Sequence, residues 1–348
     1  MRVLQLGPYP PPHGGVQSNL VAIHKFLEKR GIRDTVINIT RHRKPASDRI
    51  YYPKNAFELL GLLFRLRYDI IHLHIGGMLT RRLLYLGLVC TLRPACKSVL
   101  TFHSGGYPST PAGKSTRPSS FVGFVLRRFD RVVGVNPEII QFLHKLGIGS
   151  NRARLIPPYA FLPDAELANG LPDPLNTFLV RHKPILISVG LLEPEYDLTL
   201  QIEVLGKVLE TFHSAGLVII GSGSLKQDLR RKIEVQSYAD DVLLCGDIPH
   251  AFTMAAIARS DVMLRTTFYD GDAISVREAL HLGTAVIATD NGMRPGGVHL
   301  IPRSDVQALF RAIEQILATP RTTNHERTVP DESNLQSVLE LYEELLGK

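Results

Sequence analysis

The stretch "DVMLRTTFYDGDAISVREALHLGTAVIATD", residues 261–290, decides how the chain is built. "DVML" (261–264) reads as a short buried strand, and residues 265–271 read as the loop at its carboxyl end. The spacing predicts a helix over 273–282, and "TAVIAT" (284–289) reads as another buried strand. Strand, helix and strand in that order make a parallel crossover unit. The same stretch sets two acids, Asp270 and Glu278, eight positions apart. One lies in the loop and the other about one and a half turns into the helix.

Working outward, the alternation repeats. "RVLQL" is followed by the rigid loop "GPYPPPHGG" and the helical spacing of "VQSNLVAIHKFLEKRG", which ends at Gly31 as a C-cap. "TVINI", "DIIHLHI" (69–75), "SVLTFH" (98–103), "RVVGV" (131–135) and "ARLIPP" (153–158) continue the first series. The Pro- and Asn-rich "DAELANGLPDPLNTFLVRHKP" reads as a linker. A second series holds "ILISVG" (185–190), "GLVIIG" (216–221), "DVLLCG" (241–246), "DVML" and "TAVIAT". Short apolar runs alternating with helices imply parallel sheets covered on both faces. The expected fold class is therefore α/β, with two doubly wound, Rossmann-like domains. The expected divisions are 1–165, a linker at 166–183, a second domain at 184–325 and a terminal segment at 326–348 ending in the amphipathic "NLQSVLELYEELLGK".

Composition narrows the partners. Residues 1–165 carry 24 Lys and Arg against 8 Asp and Glu, whereas the remainder carries 16 against 25. A basic first half points to something anionic. Nucleic acid is disfavoured, because neither zinc-finger spacing nor an RNP-like aromatic motif is present. An anionic membrane surface or a lipid-phosphate acceptor fits better. Cys90, Cys96 and Cys245 are too few for a disulfide framework and read as apolar thiols in a reducing compartment. "MRVLQLGPYPPP" lacks the apolar core of a signal peptide, and the longest apolar run, 83–92, is too short to span a bilayer. A cytoplasmic protein, peripheral to the inner face of the membrane, is the expectation.

In doubly wound sheets ligands bind beyond the carboxyl ends of the strands. The loop holding Asp270 is such an end, and the helix after it offers free N–H groups to a phosphate. Carboxylates accept hydrogen bonds from paired hydroxyls, so Asp270 and Glu278 fit sugar and ribose recognition. The sequence leaves open that Asp270 or Asp272 caps the helix and that Glu278 is a solvated charge.

These motifs resemble the family 4 retaining glycosyltransferases of the GT-B fold. "DGDAISVREALHLGTAVIATDNG" resembles their acidic pair with its following strand and Gly turn, Asp270 standing for the more usual Glu. "PPPHGGVQ", "DIIHLHIGG", "LTFHSGG", "GSGSL" and "LLCGDIPH" resemble further family loops and strand ends. The resemblance implies that the first domain takes the acceptor, that the second takes a nucleotide-sugar, and that the C-terminal helix packs back on the first domain. It implies catalytic or sugar-contacting roles for His103 and Asp270, and a ribose-holding role for Glu278. It implies donor-binding roles for Gly14, Gly15, Gly190, Gly221, Gly223, Asp247, Ile248, Asp272, Ala273, Ile274 and Ser275. His72 and His74 share one face of their strand and are candidates for a core and a rim position. The nucleotide-sugar is a substrate, and neither a cofactor nor a metal is expected.

One departure matters. After "SVG" the family places Arg and then Lys-Gly, both cations serving the donor phosphates. Here Leu191 stands at the Arg position and Tyr196-Asp197 at the Lys-Gly position. Losing two cations is a large electrostatic change. Arg265 and Arg294, each near a strand end, are candidates to replace them. "GKST" (113–116) is not a phosphate loop, since Pro108 occupies its required Gly, and no G-x-G-x-x-G follows the first strand. The reading is a glycosyltransferase acting on a lipid-linked, polysaccharide or other glycan-precursor acceptor. The alternatives are a degenerate, non-catalytic GT-B subunit and a GT-B-like sugar-nucleotide epimerase.

Overall fold

The computed structural model describes residues 1–10, 15–40, 45–46, 49–93, 95–158, 170–270, 273–292, 294–319 and 332–347. The chain divides into two units: residues 1–161 with 331–348, and residues 162–330.

The first unit is a seven-stranded parallel sheet with strand order β3-β2-β1-β4-β5-β6-β7. Its strands are β1 (Arg2–Gly7), β2 (Arg33–Asn38), β3 (Ile50–Tyr51), β4 (Ile70–Ile75), β5 (Lys97–Phe102), β6 (Arg131–Gly134) and β7 (Ala153–Leu155). Its helices are α1 (Gly15–Lys29), α2 (Ala56–Arg65), α3 (Arg81–Cys90), α4 (Pro111–Ser115), α5 (Phe121–Leu126) and α6 (Pro137–Lys145). All six β4 residues are buried, as expected of a central parallel strand covered on both faces. One core joins the sheet to α2, α3, α5 and α6 through Leu62, Leu84, Leu126 and Phe142. The other joins it to α1 and the C-terminal helix. Gly31 ends α1 at φ +69°, a left-handed cap that an L side chain rarely adopts.

The second unit has α7 (Leu175–Arg181), β8 (Ile185–Val189), α8 (Leu198–Thr211), β9 (Gly216–Ile220), α9 (Lys226–Glu234) and β10 (Val242–Gly246). It continues with α10 (His250–Arg259), β11 (Val262–Arg265), α11 (Ile274–His281), β12 (Ala285–Thr289), β13 (Val298–Ile301) and α12 (Val306–Ala318). Its six strands are parallel in the order β10-β9-β8-β11-β12-β13. The chain then closes with α13 (Ser333–Leu346), which belongs to the first unit. Its Leu335, Val338, Leu339 and Tyr342 pack in one core with Ile23, Phe26 and Leu27 of α1. Glu344 on its outer side pairs with Arg131 at 2.6 Å and Arg154 at 3.2 Å.

The expected fold class holds: two doubly wound α/β sheets, with the last helix on the first. Some details differ. Short β3 and β13 carry too little apolar sequence to stand out. Residues 175–181, within the expected linker, form α7, because Leu175 and Phe178 are buried in the second unit's core. Arg265 is the last residue of β11, paired with Ala288, and not part of the loop. Among the described residues no helix is long and apolar enough to cross a membrane.

Candidate functional site

In each sheet the strand order reverses direction once, between β1 and β4 and between β8 and β11. Chain crossovers diverge at such a point and leave a crevice at the strands' carboxyl ends. Several of the described residues singled out from sequence lie at these two places, whereas Asp247 and Ile248 follow β10 at the edge of the second sheet.

At the β8/β11 point of the second unit, Arg265 is the organising side chain. Its Nε donates to Asp270 Oδ2 at 2.8 Å and its Nη1 to the Val189 carbonyl at 2.9 Å. Its guanidinium lies 4.6 Å from the centre of the Tyr196 ring. Arg294 Nη1 donates to the same Asp270 oxygen at 3.0 Å, with Nη2 on Thr267 Oγ1 at 2.9 Å and Nε on the Thr289 carbonyl at 3.2 Å. Both guanidiniums are almost wholly covered. Burial alone would push the Asp270 carboxyl up, but Arg265 first and Arg294 second outweigh it and hold the carboxyl below its ordinary value. Among the described residues, two guanidiniums stand against this one carboxylate. The arginines and the acid singled out separately from sequence are thus one cluster.

Glu278 is buried at 3% exposure, which overturns the reading of it as a solvated charge. Its Oε1 lies 2.8 Å from His250 Nε2, and His250 opens α10. Burial works to lower the His250 imidazole, but the Glu278 hydrogen bond and charge outweigh it and raise it above its ordinary value. His250 had no role in the sequence reading; its only signal is its place at the end of "GDIPH". Ala273 is the N-cap residue of α11, and its methyl side chain gives no cap to the first-turn amides. Asp272, the other proposed cap, and Gly14 lie outside the described residues. Gly15 opens α1.

The glycines of this sheet's loops are explained by backbone crowding. Gly221 has φ +136°, and a Cβ there would stand 1.8 Å from the Gly190 carbonyl oxygen. A Cβ on Gly190 would meet the Tyr196 ring at 2.2 Å and Arg265 Nη1 at 2.9 Å. Gly223 is crowded by the Leu192 backbone. Ser222 donates to Asp247 Oδ2 at 2.6 Å, and Ile248 packs half-buried beside it in sequence. Leu191, where a cation was expected, is 52% exposed. Arg265 reaches the same strand end from the neighbouring strand.

At the β1/β4 point of the first unit, His72 and His74 are both buried, and their ring centres are 4.0 Å apart. His72 shares hydrogen bonds with Tyr342 of α13 at 2.5 Å and Thr101 at 2.7 Å, so it ties the terminal helix to the sheet. Burial pushes its imidazole down to about 3. His74 Nδ1 lies 3.3 Å from Nε2 of half-buried His103, just past the end of β5. Burial lowers His74 well below its ordinary value and His103 to about 3.

Two family models match the chain. "Glycosyltransferase Family 4" matches residues 13–159, and "Glycosyl transferases group 1" matches residues 177–328. Together they take in most of the chain. The chain belongs to the family 4-like glycosyltransferases of the GT-B fold. Sucrose-phosphate synthase from Thermosynechococcus elongatus has the same fold at 19% identity, with 100% of both chains covered and a TM-score of 0.70. The catalytic domain of starch synthase IV from Arabidopsis thaliana, bound to ADP and acarbose, matches at 14% identity, 100% of both chains and a TM-score of 0.69. Anabaena HepE in complex with UDP matches at 14% identity, 100% of both chains and a TM-score of 0.65. No curated relative matches this glycosyltransferase at the sequence level.

Proposed function

We propose that this glycosyltransferase moves a sugar from a nucleoside-diphosphate donor to a glycan-precursor acceptor, with retention at the transferred carbon. The observation that carries the donor half is the β8/β11 switch point. There a buried Glu278 held by His250, the N-terminus of α11 and the two guanidiniums of Arg265 and Arg294 on Asp270 occur on neighbouring segments. Glu278 receives the ribose hydroxyls. The α11 amides receive the diphosphate, and the guanidinium pair offsets the charge that develops as it departs. Asp270 receives a sugar hydroxyl. UDP in HepE and ADP in the starch synthase support a nucleoside-diphosphate leaving group. The nucleotide-sugar is a substrate, and the reading invokes no cofactor. His103 is the first unit's candidate for contact with the transferred sugar. The test is release of nucleoside diphosphate from a panel of nucleotide-sugars, with and without glycan-precursor acceptors. Release that needs an acceptor supports transfer; turnover of the donor without any acceptor points to the epimerase.

For the acceptor half we propose docking on an anionic membrane that presents a lipid-linked precursor. The leucines of α2 and α3 mostly face the core, Leu62, Leu63 and Leu84 among them. Aromatic side chains face out instead: Phe57 and Phe64 on α2 at 86% and 65% exposure, and Tyr85 on α3 at 58%. Tyr85 meets Phe121 of α5 in a tilted ring contact with centres 5.3 Å apart, and exposed Arg65, Arg67, Arg81 and Arg82 stand among them. Apolar insertion and charge attraction then act together. Reversing Arg81 and Arg82 to Glu should weaken co-sedimentation with anionic vesicles at least tenfold, at about 1 kcal/mol per basic residue. Equal binding to zwitterionic vesicles by the wild type would remove the charge argument.

A further inference from the structure

Five polar side chains form one hydrogen-bonded file through the core of the first unit. His24 Nδ1 of α1 lies 2.7 Å from Asp34 Oδ2 of β2. Gln5 Nε2 of β1 donates to the same oxygen at 2.6 Å. His74 Nε2 of β4 lies 3.1 Å from Gln5 Oε1, and His74 Nδ1 lies 3.3 Å from His103 Nε2. Gln5, His24, Asp34 and His74 are all buried. Buried polar atoms left unpaired are costly, so the file has to be satisfied as a unit.

The file has a direction. A carboxylate only accepts, so Gln5 turns its amide nitrogen to Asp34 and its oxygen to His74. That oxygen needs a proton from His74 Nε2. A neutral imidazole carries one N–H, so His74 Nδ1 is bare and can only accept. The proton between the two rings therefore sits on His103 Nε2, and His103 Nδ1 is left bare. Among the described residues Nδ1 meets no partner. On the other side of Asp34, His24 is held above its ordinary value by Asp34 and Glu28, against burial, which is the largest influence, and the Arg49 charge. An imidazolium there keeps Asp34 an anion. Were Asp34 protonated toward Gln5, the amide would turn over and each donor in the file would reverse, ending with N–H on His103 Nδ1.

We propose that Asp34, acting through Gln5 and His74, holds His103 in the Nε2–H tautomer, so that Nδ1 is an acceptor for a hydroxyl of the sugar being transferred. Asp34, Gln5 and His74 are positioning residues; only His103 touches substrate. The role of the bare nitrogen rests on the proposed function, while the tautomer itself does not. The experiment is a two-bond proton–nitrogen correlation spectrum of the full chain labelled with nitrogen-15 histidine, recorded without substrate at neutral pH. The His103 signals are those lost in His103→Asn. The expected wild-type pattern is Nε2–H on both His74 and His103. Gln5→Met breaks the file and Asp34→Asn removes its fixed acceptor; in either, His103 should relax to a mixture of tautomers. Turnover should fall about tenfold in Gln5→Met, as for one lost hydrogen bond, with nucleoside-diphosphate affinity unchanged. A wild-type His103 that is Nδ1–H, averaged or cationic overturns the proposal, and so does an unchanged tautomer in a folded Gln5→Met or Asp34→Asn. If neither variant folds, the wild-type spectrum still decides the direction. Failure of the sugar-transfer reading would show separately, as wild-type tautomers with no loss of turnover in His103→Asn.

Discussion

The switch point between β1 and β4 and the one between β8 and β11 occupy the same place in two sheets of like order, yet they cover their polar groups differently. In the first unit two imidazoles, His74 and His103, are kept neutral and are linked through Gln5 to one distant carboxylate. In the second, among the described residues, two guanidiniums close on a single carboxylate. A neutral, directional file suits hydroxyl groups, whose donors and acceptors have to be matched. A pair of guanidiniums suits a diphosphate. The division of labour lies in the side chains at the strand ends and not in the fold that carries them.

The comparison breaks most sharply at Asp270. Asp270→Ala leaves two buried guanidiniums without their carboxylate, which should cost about 3–5 kcal/mol of stability. Denaturant unfolding of the full chain reads it. Asp270→Asn keeps an acceptor and should cost less while still cutting turnover. A loss below about 1 kcal/mol for Asp270→Ala would mean that the arginines find other acceptors.

Glu278→Gln is the next largest effect. It keeps the shape and removes the charge-assisted bonds to His250 and to ribose. Nucleoside-diphosphate affinity should fall by about 1.5–3 kcal/mol, with thermal stability little changed. Calorimetric titration of the variant with UDP and ADP gives the answer. Equal affinity in wild type and variant would remove Glu278 from the donor site.

The neutral imidazoles make the first unit acid-sensitive. An unfolded histidine takes up its proton near 6.5, whereas folded His72 does so only at about 3. Between those values the unfolded chain binds more protons, so stability falls as pH drops below about 6.5. One such group contributes at most about 1.4 kcal/mol per pH unit. Asp34, raised by burial, and His24, raised by Asp34 and Glu28, work the other way in acid, but His72, His74 and His103 outnumber them. His72→Phe should therefore be less stable at pH 7, where Tyr342 and Thr101 lose their partner, yet show a shallower decline toward pH 4. An identical acid slope in the two proteins would show that His72 is not held neutral.

Legibility in the sequence followed the strength of the local pattern. Buried parallel strands such as 70–75 and 216–220 are nearly continuous apolar runs, so both sheets could be read from them. The edge strands β3 and β13, short or exposed, left no such mark. Asp270 and Glu278 stood out because spacing along one loop and helix is visible in the chain. Their pairings did not: Arg294, singled out only as a cation, reaches Asp270 across 24 positions, and His250, not singled out at all, reaches Glu278 across 28. Gln5 and Asp34 lie in runs that read as ordinary strand, and only side-by-side pairing of β1 with β2 and β4 brings them to His74. Contacts made by register between distant strands have no signature in a single sequence.

The smallest effect probes the departure at Leu191. The family's cation would stand there at the end of β8; here Arg265 comes to the same end from β11, with Nη1 on the Val189 carbonyl. Arg265 is covered and already bonded to Asp270, so its charge acts on a diphosphate through the surroundings and not by a fork of direct bonds. Leu191 is exposed enough to carry a guanidinium without repacking the core. Leu191→Arg should therefore add a cation to the one in place. An exposed, salt-screened charge of this kind is worth about 0.5–1 kcal/mol, so nucleoside-diphosphate affinity should rise roughly two- to fivefold at low salt. The free nucleoside, which carries no phosphate, should bind unchanged. Titrating both ligands at two salt concentrations separates the outcomes. If both ligands gain alike, the new side chain acts by contact and not by charge. If neither gains, the diphosphate does not approach the end of β8, and Arg265 serves only to hold Asp270.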